Sequence, residues 1–360
     1  MDKKIKIVFI LPSLKAGGAE RVTSFIATNL NKQKFECILI VIGKSEDAVY
    51  KTSGIEVWFL NKNRVLSAIP KLYISILKIR PQIVFGSITH VNRVMAFFSL
   101  FLKKIKFVGR EANVMSVRNT FSKKNQKIVN LFLKNYHKYL DAVICQSNDM
   151  LNDLKEHHKI KASKLVVINN PITDDFQLKA HHSYSKDNAI KYITVGSLHE
   201  RKGHIRLLHL LKKVNHPFHY TIIGSGAELD HINECIINLN LSEKITHIPY
   251  TNKVSDYLRE NNLFLNGSFV EGFPNVLLES CAVGTPVIAF DAPGGINEII
   301  IKGVNGFIVN SEKEYVEKLN WINANYNFDP KSVSQSVTSR YNKEHILSKY
   351  EELFTNLANK

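Results

Sequence analysis

NLFLNGSFVEGFPNVLLESCAVGTPVIAF, residues 262–290, opens with an apolar run of strand length, breaks at Gly267-Ser268, and closes on a second apolar run from Pro286 to Phe290. Between the two runs, 275–283 carries the apolar spacing of a short helix. Strand, helix, strand in so short a span is a crossover unit, and crossover units build parallel sheets. Two acids sit in the middle of it. Were 271–279 one helix, Glu271 and Glu279 would share a side, ~80° apart. Gly272 and Pro274 argue against a helix interior there, whereas proline suits a first turn. Glu271 is therefore expected in the loop and Glu279 about one turn into the helix, both facing the space beyond the sheet edge. Two carboxylates at different depths suit hydrogen bonds from sugar hydroxyls, such as those of a hexose and a ribose. A hydrolytic pair would have to face one another across a scissile bond, which acids eight apart on one element do not readily do.

The same alternation runs along the chain. In the first half, strands are expected near 5–11, 36–42, 55–60, 82–87, 105–109, 141–146 and 164–168. Helices are expected there near 18–31, 66–79, 91–102, 122–138 and 147–158. In the second half, strands fall near 191–196, 218–223, 245–248, 262–266, 286–290 and 306–309. The helices there fall near 203–214, 226–239, 253–260, 275–283 and 295–301, and a helical tail runs over 331–358. Asn169-Asn170-Pro171 closes the first series, and a polar stretch to Asp187 forms the linker. The fold class is α/β, two doubly wound domains in tandem, and 360 residues exceed what one core usually holds. No run of ~18 uncharged apolar residues suggests a membrane span. The start reads as a buried strand without a signal-peptide cleavage site. Cys37, Cys145, Cys235 and Cys281 are scattered, with no metal or disulfide spacing.

The net charge of +16 is not spread evenly. Up to Asp175 there are 29 Lys and Arg against 13 Asp and Glu, and beyond it 19 against 19. Between Lys62 and Lys138 there are 16 basic residues and one acid, Glu111. An anionic partner for the first half follows.

In doubly wound sheets ligands bind where strands turn into helices. Ser13-Leu14-Lys15-Ala16-Gly17-Gly18 follows the first strand, and paired glycines before a helix N-terminus suit a phosphate. A G-x-G-x-x-G dinucleotide pattern is absent, which weighs against an oxidoreductase. Gly196-Ser197-Leu198-His199-Glu200-Arg201-Lys202-Gly203 follows the first strand of the second half. A guanidinium beside an ammonium suits a diphosphate. Gly224-Ser225-Gly226 and Asp291-Ala292-Pro293-Gly294-Gly295 read as structural turns on the same edge.

Taken in order, Gly-Gly-Ala-Glu-Arg, Gly-Ser-Leu…Arg-Lys-Gly, Ile-Ile-Gly-Ser-Gly, Glu-Gly-Phe-Pro-Asn-Val-Leu-Leu-Glu, Gly-Thr-Pro-Val-Ile-Ala and Asn-Gly-Phe-Ile-Val resemble glycosyltransferase family 4. These are retaining enzymes of the GT-B fold that use nucleotide sugars. The resemblance is dense from about 193 to 310 and looser before. It implies an acceptor-binding Rossmann-like domain over 1–172, a donor-binding one facing it across a cleft over 173–335, and a helix over 336–360 returning to the first. It implies that Arg201 and Lys202 hold the donor diphosphate and neutralise it as it leaves. By the same resemblance Gly17 and Gly18 approach the phosphate and Gly196 borders the donor. Glu271 lies beside the transferred sugar, the backbone of Phe273, Pro274, Asn275 and Val276 lines it, and Glu279 binds the ribose. Many relatives carry an acceptor-side His after the fifth strand. This chain has Gly109-Arg110-Glu111-Ala112-Asn113 there, with His90 one strand earlier, so His90, Arg110, Glu111 and Asn113 are the acceptor-side candidates.

The expected activity is transfer of a hexose or N-acetylhexosamine, with a UDP-linked donor, to an anionic lipid-linked or polysaccharide acceptor, as in lipopolysaccharide or capsule synthesis. No metal or other cofactor is expected, since no D-x-D follows a strand. A cytoplasmic enzyme held peripherally at the inner face of the membrane would account for the basic half. Residues 121–138, amphipathic and lysine-rich, and the Phe97–Leu102 segment, which ends in Lys103-Lys104-Ile105-Lys106, are the candidate contacts. A nucleotide-sugar 2-epimerase shares this architecture, and a nucleic-acid binder is the non-enzymatic alternative. No nucleic-acid module is present, and nucleic acid is not expected as a partner.

Overall fold

A computed structural model describes residues 3–118, 135–180 and 189–360. The chain runs β1 (Ile5–Leu11), α1 (Gly18–Asn29), β2 (Phe35–Val41), β3 (Glu56–Phe59), α2 (Val65–Ile79), β4 (Ile83–Ser87), α3 (Thr89–Phe98), β5 (Lys106–Arg110), α4 (Met115–Arg118), β6 (Ala142–Cys145), α5 (Asn148–Glu156) and β7 (Leu165–Val167). It continues through β8 (Ile190–Val195), α6 (His204–Leu211), β9 (Phe218–Ile223), α7 (Leu229–Asn238), β10 (Ile245–Ile248), α8 (Val254–Glu260), β11 (Leu263–Asn266), α9 (Asn275–Ala282), β12 (Val287–Phe290), α10 (Ile296–Ile299) and β13 (Gly306–Val309). Three helices end it: α11 (Glu312–Ala324), α12 (Pro330–Tyr341) and α13 (Lys343–Ala358).

Two compact units share these elements. One holds residues 3–116 and 135–173 together with Lys343–Lys360, and the other holds Asp174–Asn342. The first unit has a seven-stranded sheet in the order β3-β2-β1-β4-β5-β6-β7, and the second a six-stranded sheet in the order β10-β9-β8-β11-β12-β13. Every pairing is parallel. Helices therefore cover both faces, and the strands need continuous apolar runs rather than alternation. Ile7 to Leu11 are all wholly buried, as are Val84 and Phe85 beside them.

The C-terminal helix belongs to the first unit because of its aromatic side chains. The Phe354 ring lies 6.0 Å from Phe85 and 6.2 Å from Phe9, and Tyr350 lies 6.2 Å from Phe85. Burying such rings contributes about 2–3 kcal/mol each. α12, by contrast, is held in the second unit. Arg340 donates to the carbonyls of Glu298 and Ile299 at 2.7 and 3.0 Å, and the Tyr341 hydroxyl donates to Glu298 at 2.7 Å. The tail is thus two helices, broken at the extended Asn342 (ψ 155), and the part packed in the first unit starts at Lys343 rather than 336.

α11 is absent from the sequence expectation, although its signals are there. The Ser311 hydroxyl accepts the Glu314 N–H at 3.2 Å, which caps the helix, and Tyr315, Leu319 and Ile322 bury its inner face. The expected helix over 122–138 lies largely outside the described residues. Its last part is a single 3-10 turn, Tyr136–Tyr139, with Tyr136 and His137 buried.

Candidate functional site

The winding of the second sheet brings together two turns distant in the chain. Strand order reverses between β8 and β11, where Leu263 pairs with Tyr192 and Phe264 with Ile193. Connections leaving such a point diverge and open a crevice at the carboxyl ends of the strands. After β8 the chain makes a 3-10 turn over Glu200–Lys202, passes Gly203 at φ 66, and enters α6. After β11 it runs through residues 267–274 into α9.

Across that crevice Lys202 Nζ donates to Glu271 Oε1 at 2.5 Å, although the two lie 69 residues apart. The Ser268 hydroxyl donates to the same oxygen at 2.7 Å, and the Ser268 N–H is fixed by Asn266 Oδ1 at 2.8 Å. Burial pushes the Glu271 carboxyl up, but the Lys202 ammonium, the Ser268 hydroxyl and the Arg201 charge outweigh it, so it stays ionised below the ordinary carboxylate range. The Arg201 carbonyl accepts the Phe269 N–H at 2.9 Å. Its guanidinium Nη1 is buried and has no hydrogen-bond partner. An ammonium held by one acid and a guanidinium with a spare donor make a site for an anion.

The remaining donor-side candidates of this unit sit on the same edge. A small cavity is lined by Gly196, Lys202, His204, Ser268, Glu271 and Val276. Pro274 caps α9, and the N–H groups of Asn275 and Val276 lie in its first turn. Phe273 is buried with its ring 5.3 Å from that of Tyr341, so only its backbone is offered at the edge. Glu279, on α9, is 9 % exposed. The bulky apolar neighbours of these groups had a sequence signal; Ser268 and His204 had little, because a serine three before an acid and a histidine after Arg-Lys-Gly are ordinary on a surface.

His204 supplies a pH-dependent support. Its Nε2–H reaches the Ser197 carbonyl at 3.3 Å, and burial, aided by the Lys202 charge, lowers its pKa to about 4. A folded value below the unfolded ~6.5 means stability is full above pH ~6.5 and is lost as pH falls towards about 4, by at most about 1.4 kcal/mol per pH unit for this one group. His158 and His216 are shifted the same way. His204→Gln keeps a donor but not the titration. Thermal denaturation across this window should therefore show a shallower loss in the variant than in the parent, and identical slopes would exclude His204 as a contributor.

In the first unit the order reverses between β1 and β4. Gly17 N-caps α1, and Gly18 is its first residue. The Tyr50 hydroxyl accepts the Gly17 N–H at 2.8 Å and donates to its carbonyl at 3.0 Å. A Cβ on Gly17 would stand 2.3 Å from Glu20 Oε2. Burial raises the Glu20 carboxyl.

The acceptor-side candidates separate. Arg110 and Glu111 are 0 and 1 % exposed and bond to groups inside the unit, although the buried Nε of Arg110 has no hydrogen-bond partner. Arg110 donates to Ser87 Oγ at 3.2 Å and to Asn170 Oδ1. Glu111 Oε1 accepts from Tyr136 at 2.6 Å, Asn92 at 2.8 Å and His137 at 3.2 Å. Burial pushes Glu111 up, and those three bonds bring it below its ordinary value. Both residues tie strand ends together rather than face solvent, because polar side chains so deeply buried must find partners within the chain. His90 is exposed in the first turn of α3, and Asn113 is half-buried. Among the described residues no group of three or more His, Cys, Asp or Glu is placed to hold a metal ion.

Comparison with known proteins adds to this geometry. The model described as Glycosyltransferase Family 4 matches residues 16–176, and the one described as Glycosyl transferases group 1 matches 176–336. An uncharacterised glycosyltransferase of Haemophilus influenzae is 26% identical over 322 residues, 86% of this chain and 87% of that one. The N-acetylgalactosamine-N,N'-diacetylbacillosaminyl-diphospho-undecaprenol 4-alpha-N-acetylgalactosaminyltransferase of Campylobacter jejuni is 26% identical over 328 residues, again 86% of this chain and 87% of that one. The structure of Anabaena HepE in complex with UDP-glucose resembles this chain with a TM-score of 0.80 at 19% identity, covering 98% of this chain and 100% of that one. Likeness of this kind shows an α/β GT-B fold.

Proposed function

The chain belongs to the glycosyltransferases, family 4 in its first half and group 1 in its second, enzymes that transfer sugars, and we propose that its substrates are a UDP-linked hexose or N-acetylhexosamine and a lipid-linked glycan. The observation that carries the donor half is the Lys202–Glu271 pair beside the unpartnered Nη1 of Arg201. Glycosyl transfer from a nucleotide sugar expels a nucleoside diphosphate, whose growing charge must be met by fixed donors and cations. Lys202 and Arg201 are those cations. Glu271 holds the ammonium in place and lies beside the sugar, while the N–H groups at the N-terminus of α9 meet the phosphate or the sugar. Glu279 accepts the ribose hydroxyls. No metal is required when two cations already meet the leaving group, and same-face attack gives retention.

Support for the substrates comes from the relatives. The Campylobacter enzyme acts on a diphospho-undecaprenol-linked acceptor, and HepE holds UDP-glucose. An acceptor of that kind puts the enzyme at the inner face of the membrane, where a basic first half meets anionic lipid, and in the building of surface glycans.

Titration calorimetry with UDP, GDP and a panel of UDP-sugars tests the donor. UDP compounds are expected to bind and to raise the melting temperature with the logarithm of ligand concentration above the dissociation constant. Glu279→Gln should weaken UDP binding roughly tenfold, the loss of about one charge-assisted hydrogen bond. Equal affinity for GDP, or an unaltered constant in the variant, would overturn the donor assignment. Turnover with a polyprenyl-diphosphate glycan tests the acceptor, and release of free sugar without it would count against transfer.

A further inference from the structure

One helix of the first unit presents an apolar face to solvent. α2 buries Ala68, Leu72, Ser75, Ile76 and Ile79, so its core-facing side is complete. Yet Leu66 and Ile74 are each 64% exposed and Leu77 45%. At ~100° per residue, Leu66, Pro70, Ile74 and Leu77 lie within an arc of roughly 80° on the outer side, and Lys71 and Lys78 adjoin them. All six side chains except those of the two lysines are apolar, and all six are exposed.

The face continues onto α3. The Tyr73 ring lies 5.2 Å from that of Phe98 and joins the two helices. Beyond it, Phe97 and Phe101 are 44 and 61% exposed with rings 5.3 Å apart, and Leu100 beside them is 38% exposed. Lys103 and Lys104, both exposed, follow directly, and Lys62 and Arg64 precede α2. No acid occurs between Glu56 and Glu111, and Glu111 is buried.

We propose that the outer face of α2 together with the C-terminal end of α3 docks on an anionic lipid bilayer. The chemistry singles out this partner. Bulky aliphatic and aromatic side chains at the centre suit the headgroup boundary of a bilayer, and lysines at the margin suit its negative charge. A second copy of the chain would set cations against cations. A nucleic acid would leave Ile74, Leu77 and Phe101 without apolar contact. The inference deepens the reading of a lipid-carried acceptor, because it names the surface by which the first unit would reach the membrane and adds the outer face of α2 to the Phe97–Leu102 segment that the sequence singles out.

Flotation of the full chain with vesicles of phosphatidylethanolamine and phosphatidylglycerol, against vesicles of phosphatidylcholine alone, tests it. Binding is expected to the anionic vesicles only and to fall with added salt. Ile74→Glu/Leu77→Glu and Phe97→Ser/Phe101→Ser should each abolish flotation. Lys103→Ala/Lys104→Ala should lower partitioning roughly tenfold, since each cation near anionic lipid contributes a severalfold factor. Ile237→Glu, at an equally exposed position of the second unit (65%), should float like the parent. Unchanged far-ultraviolet dichroism and UDP binding identify variants that remain folded. Flotation of folded α2 and Phe97/Phe101 variants at the parental level would overturn the proposal, as would equal binding to neutral vesicles or a dimer abolished by Ile74→Glu. Failure of UDP to bind the parent would instead strike the donor reading and leave this surface untouched.

Discussion

Lys202→Met is expected to lower kcat by roughly a hundred- to a thousand-fold, the usual loss when one electrostatic donor is removed from a developing charge. It should also destabilise the fold. Lys202 and Glu271 are 17 and 7% exposed at the side chain, and the pair is 2.5 Å apart. Removing one partner of a buried pair leaves the other charge uncompensated, at a cost of about 3–5 kcal/mol. Only the Ser268 hydroxyl and the more distant Arg201 charge would then support the Glu271 carboxylate. The double variant Lys202→Met/Glu271→Gln removes both charges and should recover most of that stability without recovering turnover. Arg201→Ala makes the contrast. Its Nη1 has no partner to lose, so turnover should fall with little change in denaturation. Chemical denaturation and steady-state rates on the four proteins separate the two effects. A double variant as unstable as the single, or Lys202→Met at parental turnover, would remove the basis for the leaving-group role.

Gly203→Ala is expected to destabilise the second unit by about 3 kcal/mol or more and to abolish UDP binding. Gly203 sits at φ 66, a left-handed conformation that costs an L side chain about 1 kcal/mol. The larger effect is steric. A Cβ there would lie 2.1 Å from the carbonyl oxygen of Gly267, while a Cβ on Gly267 would lie 2.6 Å from that of Gly203. The turn after β8 and the turn after β11 therefore touch backbone to backbone, and neither atom belongs to a side chain that can swing aside. Parting them would carry Lys202 away from Ser268 and Glu271. Gly303 is the control, because it too has a positive φ (77) but open space around its Cβ. Gly303→Ala should cost about 1 kcal/mol at most. Equal effects at the two positions would show that strain alone, and not the contact of the two turns, governs Gly203.

Much of the architecture was legible locally. All thirteen strands among the described residues stand within a residue or two of where apolar runs placed them, because a strand covered on both faces writes itself as a continuous apolar run. Pro274 before α9 placed Glu271 in a loop and Glu279 in a helix, as found, because proline's missing N–H and fixed φ act wherever the residue sits. α11 shows the limit on that side: its Ser311 cap and its Tyr315, Leu319, Ile322 spacing were present but short, and a charged, exposed helix makes a weak pattern. Arg110 and Glu111 show the other limit. Both stood as acceptor-side candidates, yet they are buried and bond to Ser87, Asn170, Asn92, Tyr136 and His137 inside the unit.

What the amino-acid order determined alone was therefore whatever depends on neighbours along the chain: the period of each element, the caps, the glycine and proline turns, and the lopsided charge. The partners across the fold were decided only by tertiary structure. Lys202 meets Glu271 because strand order reverses between β8 and β11, α13 joins the first unit because Phe354 and Tyr350 find Phe9 and Phe85, and Leu66, Ile74 and Leu77 remain outside because α2 had already filled its place on the sheet with another face. Periodicity states that a helix has an apolar side, but which of two apolar sides is buried depends on the shape it meets, and that shape is made by residues far away in the chain.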